Sequence, residues 1–341
     1  MERITKRILW TALGSACCAA AIAYVRAMRK FDLRDKVVLI TGGSRGLGLV
    51  LAREFASRGA RVAVCARNRA ELSNVETDFH RWGNTLLALE CDVTDRAQVE
   101  QMISTVERDL GSIDVLVNNA GTILVGPLDN HRIEDFEHAM RTNFWAALYT
   151  TFAVLPVMKR RQSGRIVNVG SIGSKLAVPH LLAYSASKFA LYGFSQGLRA
   201  EVAKDGICVT TAVPGLMRTG SPRHVETKGN HEKEYTWFIL SDSMPGLSMS
   251  AVRAARKIVN ACVAGRGEVQ IGLPAKLISK AAALAPNVVG SILSVTNAWV
   301  MPEPADGTET KKGHEVENAV TRSPLTALTR RAELANNQSL S

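Results

Sequence analysis

Short apolar runs alternate with segments of mixed polarity from residue 36 to about residue 272. Val37–Thr41, Arg61–Cys65, Leu86–Cys91, Val115–Asn118, Arg165–Val169, Ile207–Val213 and Glu268–Ile271 are brief and almost continuously apolar. Such runs predict strands inside a parallel sheet covered on both faces, not strands with one face in water. Between them, residues 46–58, 68–82, 95–110, 133–160, 183–204 and 249–264 carry the spacing of helices with one buried face. Strict alternation of this kind predicts an α/β fold: a doubly wound parallel sheet of about seven strands in a single domain over residues 34–272.

The flanks read differently. Residues 273–301 are an apolar extension whose only charges are Lys276 and Lys280. The reading is open between a subunit-packing helix and a membrane-facing surface. Residues 302–341 hold Pro302, Pro304, Asp306, Gly307 and many Thr, Asn and Ser without apolar periodicity, which predicts a disordered tail. At the other end, within residues 1–30, Ile8–Val25 has no charge and is bracketed by Lys6 and Arg7 before and Arg26, Arg29 and Lys30 after. A helix of that length is ~27 Å long against a hydrocarbon core of ~30 Å. It reads as a single-pass N-terminal anchor, and the more basic C-terminal flank places the catalytic domain on the cytoplasmic side. A cleaved signal peptide is the competing reading, with small residues at Ala19–Ala21.

Charge and cysteine content narrow the partners. The net charge is +11, concentrated towards the N-terminal segment, but no helix-turn-helix, finger or RNA-binding signature accompanies it. Basic residues beside an apolar run point to an anionic membrane surface, with no nucleic acid. The six cysteines, Cys17, Cys18, Cys65, Cys91, Cys208 and Cys262, form no C-x-x-C pair. Reduced structural thiols and no metal site are expected.

The chemistry starts at Thr41-Gly42-Gly43-Ser44-Arg45-Gly46-Leu47-Gly48, between the first strand and the first helix. Gly42 permits a tight turn, Gly46 lets backbone approach a pyrophosphate, and Gly48 allows close helix packing. The helix N-terminus then offers free N–H groups to the anion, as in a Rossmann-type dinucleotide site. At the end of the second strand an acid would bind ribose hydroxyls. Val64-Cys65-Ala66-Arg67-Asn68 has an arginine instead, and Arg45 can approach the same region. Two guanidinium groups suit a 2′-phosphate, so the cofactor expected is NADP(H); two solvated surface arginines are the alternative. Asp92, beside Val93, is placed to accept from an adenine amino group, or else is a residue of a helix N-terminal turn. Asn118, Asn119, Ala120 and Gly121 end the fourth strand and leave room for adenosine.

Tyr184-Ser185-Ala186-Ser187-Lys188 places a phenol and an ammonium at i and i+4 on one helix face. A free phenol titrates near pH ~10; a neighbouring cation lowers that value and makes proton exchange with an alcohol feasible. Ser171, thirteen residues upstream, ends the fifth strand. With these motifs in this order, residues 34–272 resemble the short-chain dehydrogenase/reductase family. The resemblance implies that Ser171 orients the substrate oxygen, that Tyr184 transfers the proton, and that Lys188 binds nicotinamide ribose while lowering the tyrosine's pKa. It further implies that Asn143 supports a water-linked relay to Lys188, and that Pro214, Gly215 and Thr219 contact the nicotinamide carboxamide. A homo-oligomer is also implied.

The substrate signal is weaker. Residues 217–250, including Trp237, Phe238, Ile239 and Leu240, form either a lid over a greasy substrate or a segment packing on its own core. Leu176, Val178, Pro179 and Leu181 lie between Ser171 and Tyr184 and line the same pocket in this reading. The expected activity is therefore an oxidoreductase interconverting a carbonyl and a secondary alcohol on a lipophilic small molecule, such as a steroid, retinoid or long-chain acyl derivative. The alternative is a catalytically silent dinucleotide-binding or sensing protein.

Overall fold

The computed structural model describes residues 31–83 and 85–338. Seven strands form one sheet: β1 (Val37–Thr41), β2 (Arg61–Ala66), β3 (Leu86–Glu90), β4 (Val115–Asn118), β5 (Gly164–Val169), β6 (Ile207–Pro214) and β7 (Glu268–Ile271). All neighbours are parallel, in the order β7-β6-β5-β4-β1-β2-β3. The expected doubly wound α/β fold is therefore present, with strand ends within a residue of those read from the sequence. Every residue of β1, β4 and β5 is buried, which is why these strands read as unbroken apolar runs instead of alternating ones.

Helices cover both faces. α1 (Gly46–Ala56), α2 (Arg69–Arg81) and α3 (Arg96–Leu110) follow the first three strands. Next come α4 (Ile133–Met140) and α5 (Ala146–Arg160), joined by a turn of π-helix at Arg141–Trp145. α6 (Leu182–Val202) and α8 (Ala251–Val263) complete the layers. On one face Leu49, Leu51 and Phe55 of α1 pack with Ile258 and Val259 of α8 over Val38, Ile40 and Val64. On the other, Val99 and Met102 of α3 meet Val154 and Met158 of α5 over Leu39, Leu116 and Ile166. Asn68 and Asp95 cap α2 and α3 by accepting from backbone N–H groups of the first turn. Cys65, Cys91 and Cys262 are buried free thiols; among the described residues no cluster suits a metal.

The segment read either as a lid or as packing on its own core forms the helix α7 (His231–Ser243). Beyond β7 the chain forms a hairpin of α9 (Leu273–Leu284) and α10 (Pro286–Trp299). Only Ala275 and Ser279 of α9 are buried, and no residue of α10 is. Residues 302–338, expected to be disordered, instead run back across the lid. Lys311–Lys312 pairs antiparallel with Glu226–Thr227, Gly313 donates to the Val225 carbonyl, and α11 (Ala327–Ala335) packs on α7. Hydroxyls do much of this docking: Thr329 meets Ser243 at 2.7 Å, and Thr326 donates to the Thr321 carbonyl. A composition poor in apolar residues gave no periodic signal for a segment held this way.

The expected localisation, a single-pass N-terminal anchor with the catalytic domain facing the cytoplasm, is not upheld. Ile8–Val25 lies outside the described residues. Among the described residues no single helix is long and apolar enough to cross a membrane. The one pair that qualifies by length and composition is α9 with α10, near the opposite end of the chain, and it is bent by 117°.

Candidate active site

The C-terminal ends of β1, β4, β5 and β6 converge on one edge of the sheet, and a buried polar chain fixes their spacing. Asn118 donates to Asn168 at 2.9 Å and accepts from Thr150 at 2.6 Å. Asn168 donates to Ser195 at 3.0 Å, and Ser195 meets Thr211 at 2.7 Å. With the groups so paired, burying them costs little and the strand ends are held in register. Asn119 extends the same system to the glycine loop, its amide donating to the carbonyls of Thr41 and Gly42 at 3.0 Å each. The Thr41 hydroxyl accepts from the backbone N–H groups of Asn119 and Ala120.

The loop has the shape a pyrophosphate needs. Gly42 turns with φ +62°, and a Cβ on Gly48 would lie 2.1 Å from the Gly42 carbonyl oxygen, so only glycine lets α1 start this close. Leu47 and Val93 are buried, one in each of the two cores. The Gly46 N–H donates at 2.9 Å to a carbonyl oxygen, that of Asn336, an acceptor standing where a phosphate oxygen would. These residues fit a dinucleotide.

The expected grip on a 2′-phosphate is altered by a residue the sequence reading missed. Glu71, in the first turn of α2, accepts from Ser44 at 2.7 Å and from Arg45 at 3.2 Å. Arg45 also donates to His224 Nδ1 at 2.8 Å. Burial pushes the pKa of Arg45 down, Glu71 opposes this, and the charge of Arg67 adds to the fall. Glu71 gave no signal because it is 26 residues from Arg45 and falls on an ordinary helical turn. Asp92 makes a local turn ahead of α3, accepting from the backbone N–H and hydroxyl of Thr94 at 2.9 and 2.8 Å, while Asp95 is the helix cap.

Ser171, Tyr184, Lys188 and Asn143 come together around the ends of β4 and β5. A Cβ on Gly173 would meet Tyr184 Cε1 at 3.1 Å and Ser171 Oγ at 3.5 Å. One on Gly121 would meet Asn143 Oδ1 at 2.6 Å and Lys188 Nζ at 3.4 Å. The π-helical turn aims Asn143 inward, where it donates to the Thr122 carbonyl and to Ser187 and accepts from the Thr122 N–H. Ser187 and Thr122 are supports that a motif search passes over. Lys188 is 5% exposed, donates to the Val169 carbonyl at 3.1 Å, and lies 5.8 Å from the Tyr184 ring centre. Burial lowers its pKa to about 8. The tyrosine departs from expectation: burial raises the pKa of its phenol, and the opposing pull comes from its hydrogen bond with Ser171.

Gly215 is held by its N–H to the Ile271 carbonyl, Pro214 ends β6, and the Thr219 hydroxyl donates to Ser221. The proposed pocket walls are only partly assembled. A cavity of about 650 Å³ is lined by 126–129, 177–180, Leu182, Leu293, Ser294, Asn297 and Ala298 of α10, and 302–304. Leu176 and Trp237 do not line it, nor do Ser171 and Tyr184. Trp237 is instead tied to its own helix through Glu234, which also pairs with His180 at 2.8 Å. The lid thus packs on its own small core of Tyr235, Phe238 and Ile239.

Residues 36–229 match the model of the short chain dehydrogenase family. The chain is 40% identical over 192 residues to a dehydrogenase/reductase SDR family protein 7-like of Anopheles gambiae, covering 55% of this chain and 61% of that one. It is 34% identical over 197 residues to a fatty acyl-CoA reductase of Acinetobacter baylyi, covering 57% and 67%. A gluconate 5-dehydrogenase from Burkholderia cenocepacia, solved in complex with NADP and tartrate, superposes with a TM-score of 0.64 at 27% identity, over 74% of this chain and 99% of that one. The chain belongs to the short-chain dehydrogenase family, oxidoreductases that act on CH–OH groups with a dinucleotide as acceptor.

Proposed function

We propose that the chain interconverts a lipophilic carbonyl and its secondary alcohol with NADP(H), Tyr184 exchanging the proton. The observation that carries this reading is the meeting of Ser171, Tyr184, Lys188 and Asn143 at the edge of a dinucleotide-shaped cradle. The nicotinamide supplies or accepts the hydride; the chain's residues position and protonate. Ser171 holds the substrate oxygen beside the phenol. Tyr184 donates its proton to that oxygen in reduction and receives one in oxidation. Lys188 holds the ribose and favours the phenolate, and Asn143 passes protons towards it by way of water. Tyr184→Phe is expected to lower turnover by at least about a thousandfold, with NADPH affinity unchanged within about twofold. Steady-state kinetics beside NADPH titration checks both.

The buried ammonium makes a stability prediction. The folded pKa of about 8 lies below the unfolded value of ~10.4. The cost of burying the charge is therefore present in full below pH 8 and disappears as pH rises towards 10.4. Lys188→Met is expected to abolish turnover yet raise unfolding free energy at pH 7 by about 1–3 kcal/mol. Denaturant melts from pH 7 to 10 should show that gain shrinking.

NADP(H) is preferred in this reading because Arg67 stands just after β2 in place of an acid and Arg45 stands in the glycine loop, and the Burkholderia enzyme's NADP complex is in keeping with it. Glu71 favours a second reading, since a carboxylate beside the loop suits the ribose hydroxyls of NADH. Arg67→Ala is expected to lower the ratio of kcat/KM for NADPH over NADH about tenfold, and Glu71→Gln to raise it. An unchanged ratio in Arg67→Ala would refute the phosphate role.

The lipophilic substrate is supported by the relative named as a fatty acyl-CoA reductase and by the α9–α10 hairpin. No acid interrupts residues 269–302, Lys276 and Lys280 are its charges, and Leu284 and Trp299 are 85% and 84% exposed. Residues of α10 wall the cavity beside 177–180, so a hairpin resting on an anionic bilayer would set that mouth at the lipid surface. Brominated lipid vesicles should quench the emission of wild-type protein more than that of Trp299→Phe; equal quenching would count against the hairpin's immersion. A homo-oligomer is part of the same reading, with the exposed Phe152 and Phe189 as apolar contacts.

A further inference from the structure

The last described residues lie in the dinucleotide cradle. After α11 the chain passes from Thr219, at the nicotinamide end, to Ser44 and Glu71, at the adenosine end. Asn336 donates through its side chain to the Thr219 carbonyl at 3.2 Å, while its own carbonyl accepts the Gly46 N–H at 2.9 Å. Asn337 donates to the carbonyls of Ser44 and Glu71 at 2.9 and 3.2 Å. The Gln338 side chain fills the open face of Gly46, its Nε2 lying 2.6 Å from where a Cβ would be.

The segment is also coupled to the arginine assigned to phosphate. Arg45 can only donate, so His224 accepts at Nδ1 and donates from Nε2 to the Gln338 carbonyl at 3.2 Å. Burial and the adjacent guanidinium hold His224 neutral, with its pKa lowered to about 3. Arg45 therefore braces the imidazole that braces the end of the segment. A phosphate that drew Arg45 away would undo that support. The docking is also imperfect, since among the described residues the buried Gln338 Oε1 has no hydrogen-bond partner, and such a group favours release into water.

We propose that residues Asn336–Gln338 form an autoinhibitory strap, a tethered competitor that must leave before a dinucleotide can bind. The inference rests on the reading of the Gly42–Gly48 loop as the dinucleotide site. Pyrophosphate needs the Gly46 N–H and the space above it, and the strap holds both. The apparent dissociation constant for NADPH then equals the intrinsic one divided by the fraction of molecules with the strap released. Loosening the strap raises affinity without touching any group that acts in turnover.

The test uses the full chain and NADPH itself. Asn336→Ala/Asn337→Ala removes three side-chain hydrogen bonds of the strap and is expected to tighten NADPH binding about fivefold or more, with kcat at saturating NADPH unchanged. In the wild type, saturating NADPH should speed hydrogen exchange across residues 327–338, a measurement that does not depend on the variant's folding. Equal affinity of variant and wild type, together with unchanged exchange, would overturn the strap while leaving the dinucleotide site intact. Slower exchange with NADPH, or weaker binding by the variant, would also overturn it and make the segment a cover over bound cofactor. If neither protein bound NADPH or NADH, the dinucleotide reading would fail and the strap with it.

Discussion

The site depends on keeping a lysine ammonium almost wholly out of water with one carbonyl to hold it. Lys188 sits at the end of β5, its hydrogen bond spent on Val169, and burial alone pulls its pKa down. Such a group destabilises the fold in which it is buried, and a fold retains it only where the rest of the structure is firm. That firmness is visible beneath it. The strands are parallel and buried on both faces, and the chain Asn118–Asn168–Ser195–Thr211 ties their ends together with its polar groups paired.

The phenol beside it is pulled two ways. Tyr184 is half-buried beside a cation 5.8 Å from its ring centre, yet burial pushes its pKa up and Ser171 supplies the opposing pull. The sequence spacing places the two groups on one helix face, but spacing says nothing about where the ammonium spends its hydrogen bonds.

What could be read from the sequence divides along physical lines. Buried parallel strands leave continuous apolar runs, and the seven strands of the sheet were legible for that reason. The turn at Gly42 and the close approach at Gly48 admit only glycine, so the loop was legible too. Tyr184, Lys188 and Ser171 were read from their spacing and Asn143 from a resemblance, and the structure brings the four together. Glu71 and His224 were not legible, because they reach Arg45 only through the fold, 26 and 179 residues away. Asp92 had two physically sound roles, and its contacts with Thr94 favour the local one. The segment 302–338 was misread because hydroxyl and amide side chains dock it, and these leave no period.

That misreading bears on how the site is built. A tail with an apolar face would pack on the domain permanently, since burying such a face is favoured in every state that can reach it. A tail held by amides and hydroxyls exchanges its hydrogen bonds for bonds to water at small net cost. Asn336 and Asn337 take the glycine loop's and Thr219's backbone groups in just this way, so the loop stays satisfied when the strap is in place and stays available when it is not. The polar composition that hid the segment from a periodicity analysis is thus the property that suits it to reversible occupation of a phosphate cradle.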